Sequence, residues 1–273
     1  MEGSKSLFYK KWWFWVILVL VIVLIFIFFL LPSIKEDRGS TSSNRTKSAD
    51  TYWRQGQTGW EPVGNPPACP EPLVLSIGDF SQATSVLYPG QMRSVGYEPT
   101  AGFRFDKAEN NQIPVEAPLD GEIVQAARFY ERGEIQYVLD IMSPCGIMNR
   151  FDHLLELPAN LKSLADKLPA PKEGDTRSTS INPPLKVSRG EVVAVEVGSK
   201  GNVGLSWTVY DFRHKNKISE NESWASSHDG LYHFAICPYQ YMTTEDQAIA
   251  KKLPAADMTS GNKSDFCNGI WPN

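Results

Sequence analysis

The chain has no block of basic residues, and this absence excludes one large class of functions. Its 27 lysines and arginines are outnumbered by 31 aspartates and glutamates, which gives a formal net charge of −4. Proteins that bind nucleic acids concentrate positive charge on one surface to neutralise phosphates. We therefore expect no nucleic-acid partner.

Cysteine is scarce, with four residues in the chain, and none of them forms the C-x2-C pair of structural zinc sites. An even number of cysteines fits two disulfides in an oxidising compartment. Four cysteines allow three connectivities; we favour Cys69–Cys145 with Cys237–Cys267, and a zinc site made from them is the weaker alternative. The second bridge would staple a C-terminal appendage over residues 237–273.

Polar residues are absent from one segment, residues 12–31, which reads WWFWVILVLVIVLIFIFFLL. At about 1.5 Å rise per residue, a helix of this length spans a hydrocarbon core of roughly 30 Å. A cleavable signal peptide is the alternative, but the following PSIKEDRG has no small-residue cleavage site. We predict a transmembrane helix over residues 12–32, embedded in a lipid bilayer and preceded by a cytoplasmic stub over residues 1–11.

The orientation of this helix is not decided by charge, because lysines and arginines flank it almost equally. The tryptophan cluster next to Lys10 and Lys11 fits a cytoplasmic interface, and the even cysteine count fits an oxidising exterior. The sequence therefore predicts a single-pass membrane protein whose C-terminal domain is extracytoplasmic.

Beyond the anchor, the composition changes twice. Residues 33–66 are polar and rich in turn formers, which is typical of a flexible linker. From residue 67 to 236, short runs of alternating hydrophobicity lie between glycine and proline turns. The runs read as strands cover residues 71–77, 121–129, 134–142, 191–198 and 205–213.

Helical patterns in this part are few. One covers residues 160–168 and another, with a capping box, covers residues 244–253, while residues 169–184 read as an inserted loop. Many short strands with few helices favour an all-β sandwich or barrel.

Four motifs in chain order resemble the lysostaphin-type zinc endopeptidases. They are GFRFD (102–106), PVEAPLDGEIVQA (114–126), RFDHL (150–154) and VSRGEVVAVEVGSKGNVGLSWTVYDFR (187–213). The resemblance covers about half of the chain. It implies a lysostaphin-like β-sandwich, here with short helical insertions, and a groove over one sheet.

The same resemblance implies that the zinc ligands are mostly lost. In the family a His-x3-Asp motif and the second histidine of a His-x-His strand bind the metal. Asp106 fills the aspartate position, but Gly102 stands at the first histidine and the His-x-His strand aligns with residues 207–209. Because catalytic zinc usually needs three protein ligands, we expect a degenerate, non-catalytic member without metal or cofactor.

The binding groove is then expected to contain Asp106, His153, Trp207 and Tyr210. Three of them have a plainer interpretation: a paired surface carboxylate for Asp106, a structural imidazole for His153, and a core position for Trp207. We expect a binding or scaffold module for a cell-wall glycan, a wall peptide or an envelope protein. A hydrolase with an altered zinc ligand set and a structural component of an envelope assembly remain alternatives.

Overall fold

The computed structural model describes residues 47–57 and 59–267. The predicted cytoplasmic stub, the predicted transmembrane helix and the first part of the predicted linker lie outside the described residues. Within the described part of the chain, no helix is both long and apolar enough to cross a membrane.

Strands dominate the described residues, and most of them are short. In chain order they are β1 (Trp53–Gln55), β2 (Trp60–Pro62), β3 (Ser85–Leu87), β4 (Gln91–Arg93), β5 (Gly96–Glu98), β6 (Ala101–Arg104), β7 (Val115–Glu116), β8 (Gly121–Glu131), β9 (Glu134–Met142), β10 (Ile147–Glu156), β11 (Thr179–Val187), β12 (Val192–Ala194), β13 (Glu196–Val197), β14 (Gly204–Asp211) and β15 (Ala235–Ile236).

The α-helices are equally short: α1 (Ala49–Tyr52), α2 (Ala159–Ala165), α3 (Glu222–Ser227) and α4 (Thr244–Ala250). Single-turn 3₁₀ helices occupy Lys217–Glu220, Gly230–Phe234 and Pro238–Tyr241. The predicted all-β class is therefore confirmed.

One antiparallel sheet organises the molecule. Its strand order is β11-β8-β9-β10-β14-β6-β3, with β13 also pairing with β10 and β15 with β14. The pairs β1–β2, β4–β5 and β7–β12 form three small two-stranded sheets. The long strands β8, β9 and β10 lie side by side, and β14 follows β10, so these four strands provide the broad surface on which a site can form.

The two faces of this sheet differ because side chains alternate along each strand. One rung across β8, β9, β10 and β14 is apolar and buried, and it consists of Ala126, Leu139, Phe151 and Trp207. The adjacent rung, one residue away on each strand, is polar and consists of Gln125, Asp140, Arg150 and Thr208. The apolar face covers the main hydrophobic core, and the polar face is left for other contacts.

The predicted linker ends earlier than residue 66. The Trp53 side chain is only 2% exposed, and its indole nitrogen donates a hydrogen bond to the carbonyl of Pro144 at 2.9 Å. Its ring also fills the space above Gly146. The paired strands β1 and β2 are held on the sheet by the burial of Trp53 and Trp60, although their neighbouring residues are polar.

The predicted elements match the structure unevenly. The strands predicted at 121–129 and 134–142 are present as β8 and β9, and both helices are present within a few residues. Residues 71–77 are not a strand; only isolated backbone hydrogen bonds hold this segment, from Leu75 to the carbonyl of Tyr241 and from Glu116 to the carbonyl of Ile77. The predicted loop 169–184 is wrong at its end, where β11 begins at Thr179 and pairs with β8.

The disulfide connectivity Cys69–Cys145 and Cys237–Cys267 is confirmed, and the described cysteines include no free thiol. The C-terminal segment packs into the main core, because Tyr239 is fully buried and its hydroxyl group donates to the carbonyl of Gly102 at 2.8 Å.

Replacing Cys237 and Cys267 together with serine should lower the free energy of unfolding by roughly 2–4 kcal/mol. The bridge closes a loop of sequence separation 30, so its loss releases chain entropy in the unfolded state. Chemical denaturation measures the change, with Ser226→Ala at an exposed position as control. A double variant as stable as this control would contradict the stabilising role of the bridge.

Candidate functional site

The polar face of the sheet forms the floor of an open groove with a volume of about 610 Å³. Strands β5, β10 and β14 and the segment around Leu231 contribute its walls. We call it the polar groove and define it by its principal lining residues, Glu98, Arg150, Asp152, Thr208, Tyr210 and Tyr232.

A buried ion pair holds the floor together. The Arg150 Nη1 atom lies 2.9 and 3.0 Å from the two carboxylate oxygens of Asp140, which is 1% exposed. Arg150 also donates to the Ser178 hydroxyl and, through Nη2, to the carbonyl of Thr176, both at 3.0 Å. Burial lowers the pKa of Arg150, but the charge and hydrogen bond of Asp140, together with Tyr210 and Asp152, outweigh it and the net shift is upward. The guanidinium therefore stays charged and ties the segment 176–178 to the groove wall.

Three carboxylates, those of Glu98, Asp152 and Asp229, line the groove. Asp152 follows Arg150 on the same face of β10, and its Oδ1 accepts the backbone N–H of His153 at 2.7 Å. Asp229 lies at the opposite wall, where it caps a 3₁₀ helix by accepting the N–H of Leu231 at 2.8 Å. Burial raises the pKa of the Glu98 carboxyl, the charge of Arg93 lowers it, and Asp152 raises it further. The last shift indicates that Glu98 and Asp152 repel each other.

Two tyrosines complete the walls. Tyr210 is 2% exposed and lies on the same face of β14 as Thr208, with its ring stacked against Phe212 at a centroid distance of 6.0 Å. Tyr232 is half-buried beside Tyr97. Burial raises the pKa of both the Tyr210 and the Tyr232 hydroxyls. Both hydroxyls therefore stay neutral near pH 7 and can donate or accept hydrogen bonds.

A second, smaller pocket of about 100 Å³ lies around His153, where β10 has a bulge. His153 has a backbone φ of 61°, and its Nδ1 lies 2.8 Å from the side-chain oxygen of Gln136. Gln136 in turn donates to the carbonyl of Gly198 at 3.0 Å, and the hydroxyl of Ser199 is buried there without a hydrogen bond. The imidazole is thus fixed by a buried amide, which agrees with a structural histidine.

Asp106 lies on the surface and is held by its neighbours. Its carboxylate forms an ion pair with Arg104 at 2.7 Å and accepts the Thr84 hydroxyl at 3.0 Å. The hydrogen bond from Arg104 is the main reason that the pKa of Asp106 is lowered. Arg104 lines the pocket around His153, but Asp106 itself does not.

The prediction that Trp207 lines the groove is wrong. The side chain is 0% exposed, and its indole nitrogen donates to the Asn149 side chain at 3.0 Å within the core. Trp207 and Tyr210 are three residues apart on β14, so the alternation of the strand sends them to opposite faces. Of the four predicted groove residues, only Tyr210 lines the polar groove; His153 lines the smaller pocket, and Asp106 and Trp207 line neither.

The positions that bind metal in the resembled family are not arranged for it here. A side chain at Gly102 would overlap the backbone carbonyl oxygen of Leu205 on the paired strand β14. Val209 is fully buried on the core face. In the part of the chain that the structure covers, no group of three or more His, Cys, Asp and Glu side chains is placed to hold a metal ion. His228 is stacked on Trp224 at a centroid distance of 4.2 Å instead.

The sequence interpretation missed the groove carboxylates. Asp152 could have been predicted, because it lies two residues after Arg150 in the RFDHL motif and residues two apart on a strand share one face. Glu98 and Asp229 reach the groove from distant parts of the chain, and no local pattern marks them.

No known protein family, curated protein or solved structure matches this chain.

Proposed function

We propose that this protein is a membrane-anchored, extracytoplasmic binding module that holds an extended polymer in the polar groove without altering it chemically. The polymer is a peptide or a glycan of the cell envelope. The anchor in this proposal is the apolar segment 12–31. The observation that carries the binding role is the polar groove itself, built on the longest strands of the sheet.

The size and the chemistry of the groove support this role. Its volume of about 610 Å³ lies within the range of about 300–1,000 Å³ that is usual for ligand sites. Its floor is rigid, because the ion pair of Arg150 and Asp140 lies between paired strands. The groove is open to solvent, which suits a chain-like ligand better than a small molecule that must be enclosed.

The proposal that the protein does not act as a hydrolase rests on the side chains that could have bound a metal ion. Asp106 is engaged by Arg104 and Thr84, and His153 is held by Gln136. Gly102 has no room for a ligand side chain. A degenerate peptidase-like domain that has lost the ligand set fits these observations.

Binding should depend on Tyr232, the half-buried aromatic residue of the groove wall. The full-length chain in neutral detergent micelles is applied to arrayed decapeptides and to arrayed cell-wall oligosaccharides. We expect retention on one array, weakened at least about thirtyfold by Tyr232→Ala, since aromatic hot spots are worth about 2 kcal/mol or more. Tyr130→Ala is the matched control, because Tyr130 is an exposed tyrosine outside the groove and should leave retention unchanged.

Two results would contradict the proposal. The first is equal retention by the Tyr232→Ala and Tyr130→Ala variants at unchanged melting temperature. The second is cleavage of the retained probe, detected as a change in its mass after incubation with the protein and added zinc.

A further inference from the structure

We infer that the polar groove selects a cationic segment, namely a peptide whose lysine or arginine side chain is seated between Glu98, Asp152 and Asp229. This inference rests on the proposed function and specifies its ligand. It is carried by the charge balance of the groove and by Tyr210, a side chain 98% buried whose hydroxyl group has no hydrogen-bond partner among the described residues.

The carboxylates of the groove have no direct ion-pair partner among the described residues; Arg93 acts on Glu98, and Arg150 on Asp152, only through charge at longer range. Arg150 is paired with the buried Asp140, and Arg177 forms a bidentate pair with Asp175 through Nε and Nη2, both at 2.7 Å. Neither Asp140 nor Asp175 belongs to the lining of the polar groove. Both arginines that line the groove are therefore already compensated from outside it.

Glu98, Asp152 and Asp229 form no ion pair with any lysine or arginine of the described residues. Arg93, whose charge lowers the pKa of Glu98, donates its hydrogen bonds to the carbonyls of Tyr88 and Thr100 and to the Gln91 side chain instead. Glu98 and Asp152 are partly buried and repel each other, so they gain from a bound cation, because an opposite charge in a region of reduced dielectric offsets their desolvation.

The second observation is the Tyr210 hydroxyl group. Its side chain is 98% buried and faces the groove, yet its hydroxyl forms no hydrogen bond to any described residue. A tyrosine this deeply buried usually has a partner for its hydroxyl group, and here that group is accessible only from the groove. An ammonium or guanidinium group provides donors only, and the tyrosine oxygen and the carboxylates are acceptors that match it.

The groove also suits the aliphatic part of such a side chain. Tyr232 presents a half-buried ring beside Tyr210, and a cation over a tyrosine ring is attracted by its negative face. Neutral and acidic glycans have no positively charged group that could pair with the carboxylates of the groove. A peptide with a basic residue has both the alkyl stem and the charge.

The test uses fluorescent decapeptides of glycine and serine that carry two lysines, two glutamines or two glutamates. Fluorescence anisotropy with the full-length chain in neutral detergent at low ionic strength gives the dissociation constants. The lysine peptide should bind roughly tenfold more tightly than the glutamine peptide, and the glutamate peptide should bind most weakly. Glu98→Gln and Asp152→Asn should each weaken the lysine peptide several-fold and leave the glutamine peptide unchanged.

Glu109→Gln is the control variant, because Glu109 is an exposed carboxylate outside the groove. Equal binding of the three peptides, lost in Tyr232→Ala, would overturn the cation inference and leave the proposed binding function standing. Binding of none of the three peptides would also overturn it. A de-acetylated amino-sugar oligomer is included, and its binding in place of the lysine peptide would show that the groove takes cations but not peptides.

Discussion

The Trp207→Ala variant should lose about 3–5 kcal/mol of unfolding free energy, the cost of removing a large aromatic side chain from a core. Trp207 is 0% exposed and stacks on Phe151 with a centroid distance of 6.4 Å. Its loss leaves a cavity at the centre of the apolar rung and also removes the donor that satisfies the buried Asn149 side chain. Chemical denaturation followed by circular dichroism measures the change.

Trp207→Phe is the matched control, since phenylalanine retains most of the apolar volume and should cost clearly less than alanine. Because Trp207 lies on the core face, peptide binding by the fraction of Trp207→Ala that remains folded should be unchanged. A variant of normal stability that has lost its binding would place Trp207 in the groove and contradict the packing described above.

The sheet itself was largely predictable from the sequence, and the reason is its periodicity. The alternation that predicts strands at 121–129 and 134–142 also predicts their two faces, and the structure has both strands. The same rule applied within β14 separates Trp207 from Tyr210, because residues an odd number apart point to opposite faces. The aligned His-x-His motif places Trp207 in the groove together with Tyr210, but the alternation of side chains along β14 does not allow both residues to face the same way.

The groove was less predictable because its residues come from separate parts of the chain. Glu98 comes from β5, Asp152 from β10 and Asp229 from the segment before β15, and only the tertiary fold brings them together. The disulfides were predictable, since four cysteines leave few pairings. The packing of Trp53 was hidden by its polar neighbours, which resemble a linker in composition alone.

Replacing Arg150 with methionine should destabilise the protein by about 3–5 kcal/mol, the cost of leaving one partner of a buried ion pair alone. The Asp140 carboxylate is 1% exposed and would lose both of its contacts to Nη1. Ser178 and Thr176 would lose their donor as well, so the wall of the groove should loosen. Thermal and chemical denaturation of the full-length chain measure the loss.

The pH dependence and a double variant separate this ion pair from simple packing. Burial raises the pKa of Asp140 above its unfolded value even though the charge of Arg150 lowers it, and loss of the guanidinium should raise this pKa further, so the folded variant prefers the protonated carboxyl. The stability of Arg150→Met should therefore be greatest below the unfolded pKa and should fall as the pH rises through the raised folded pKa. Arg150→Met combined with Asp140→Leu removes both charges and should recover most of the loss, because an apolar pair of similar volume replaces a buried ion pair at little cost. A double variant as unstable as the single one would mean that Arg150 acts mainly through Ser178 and Thr176, and that the floor of the groove does not depend on the pair with Asp140.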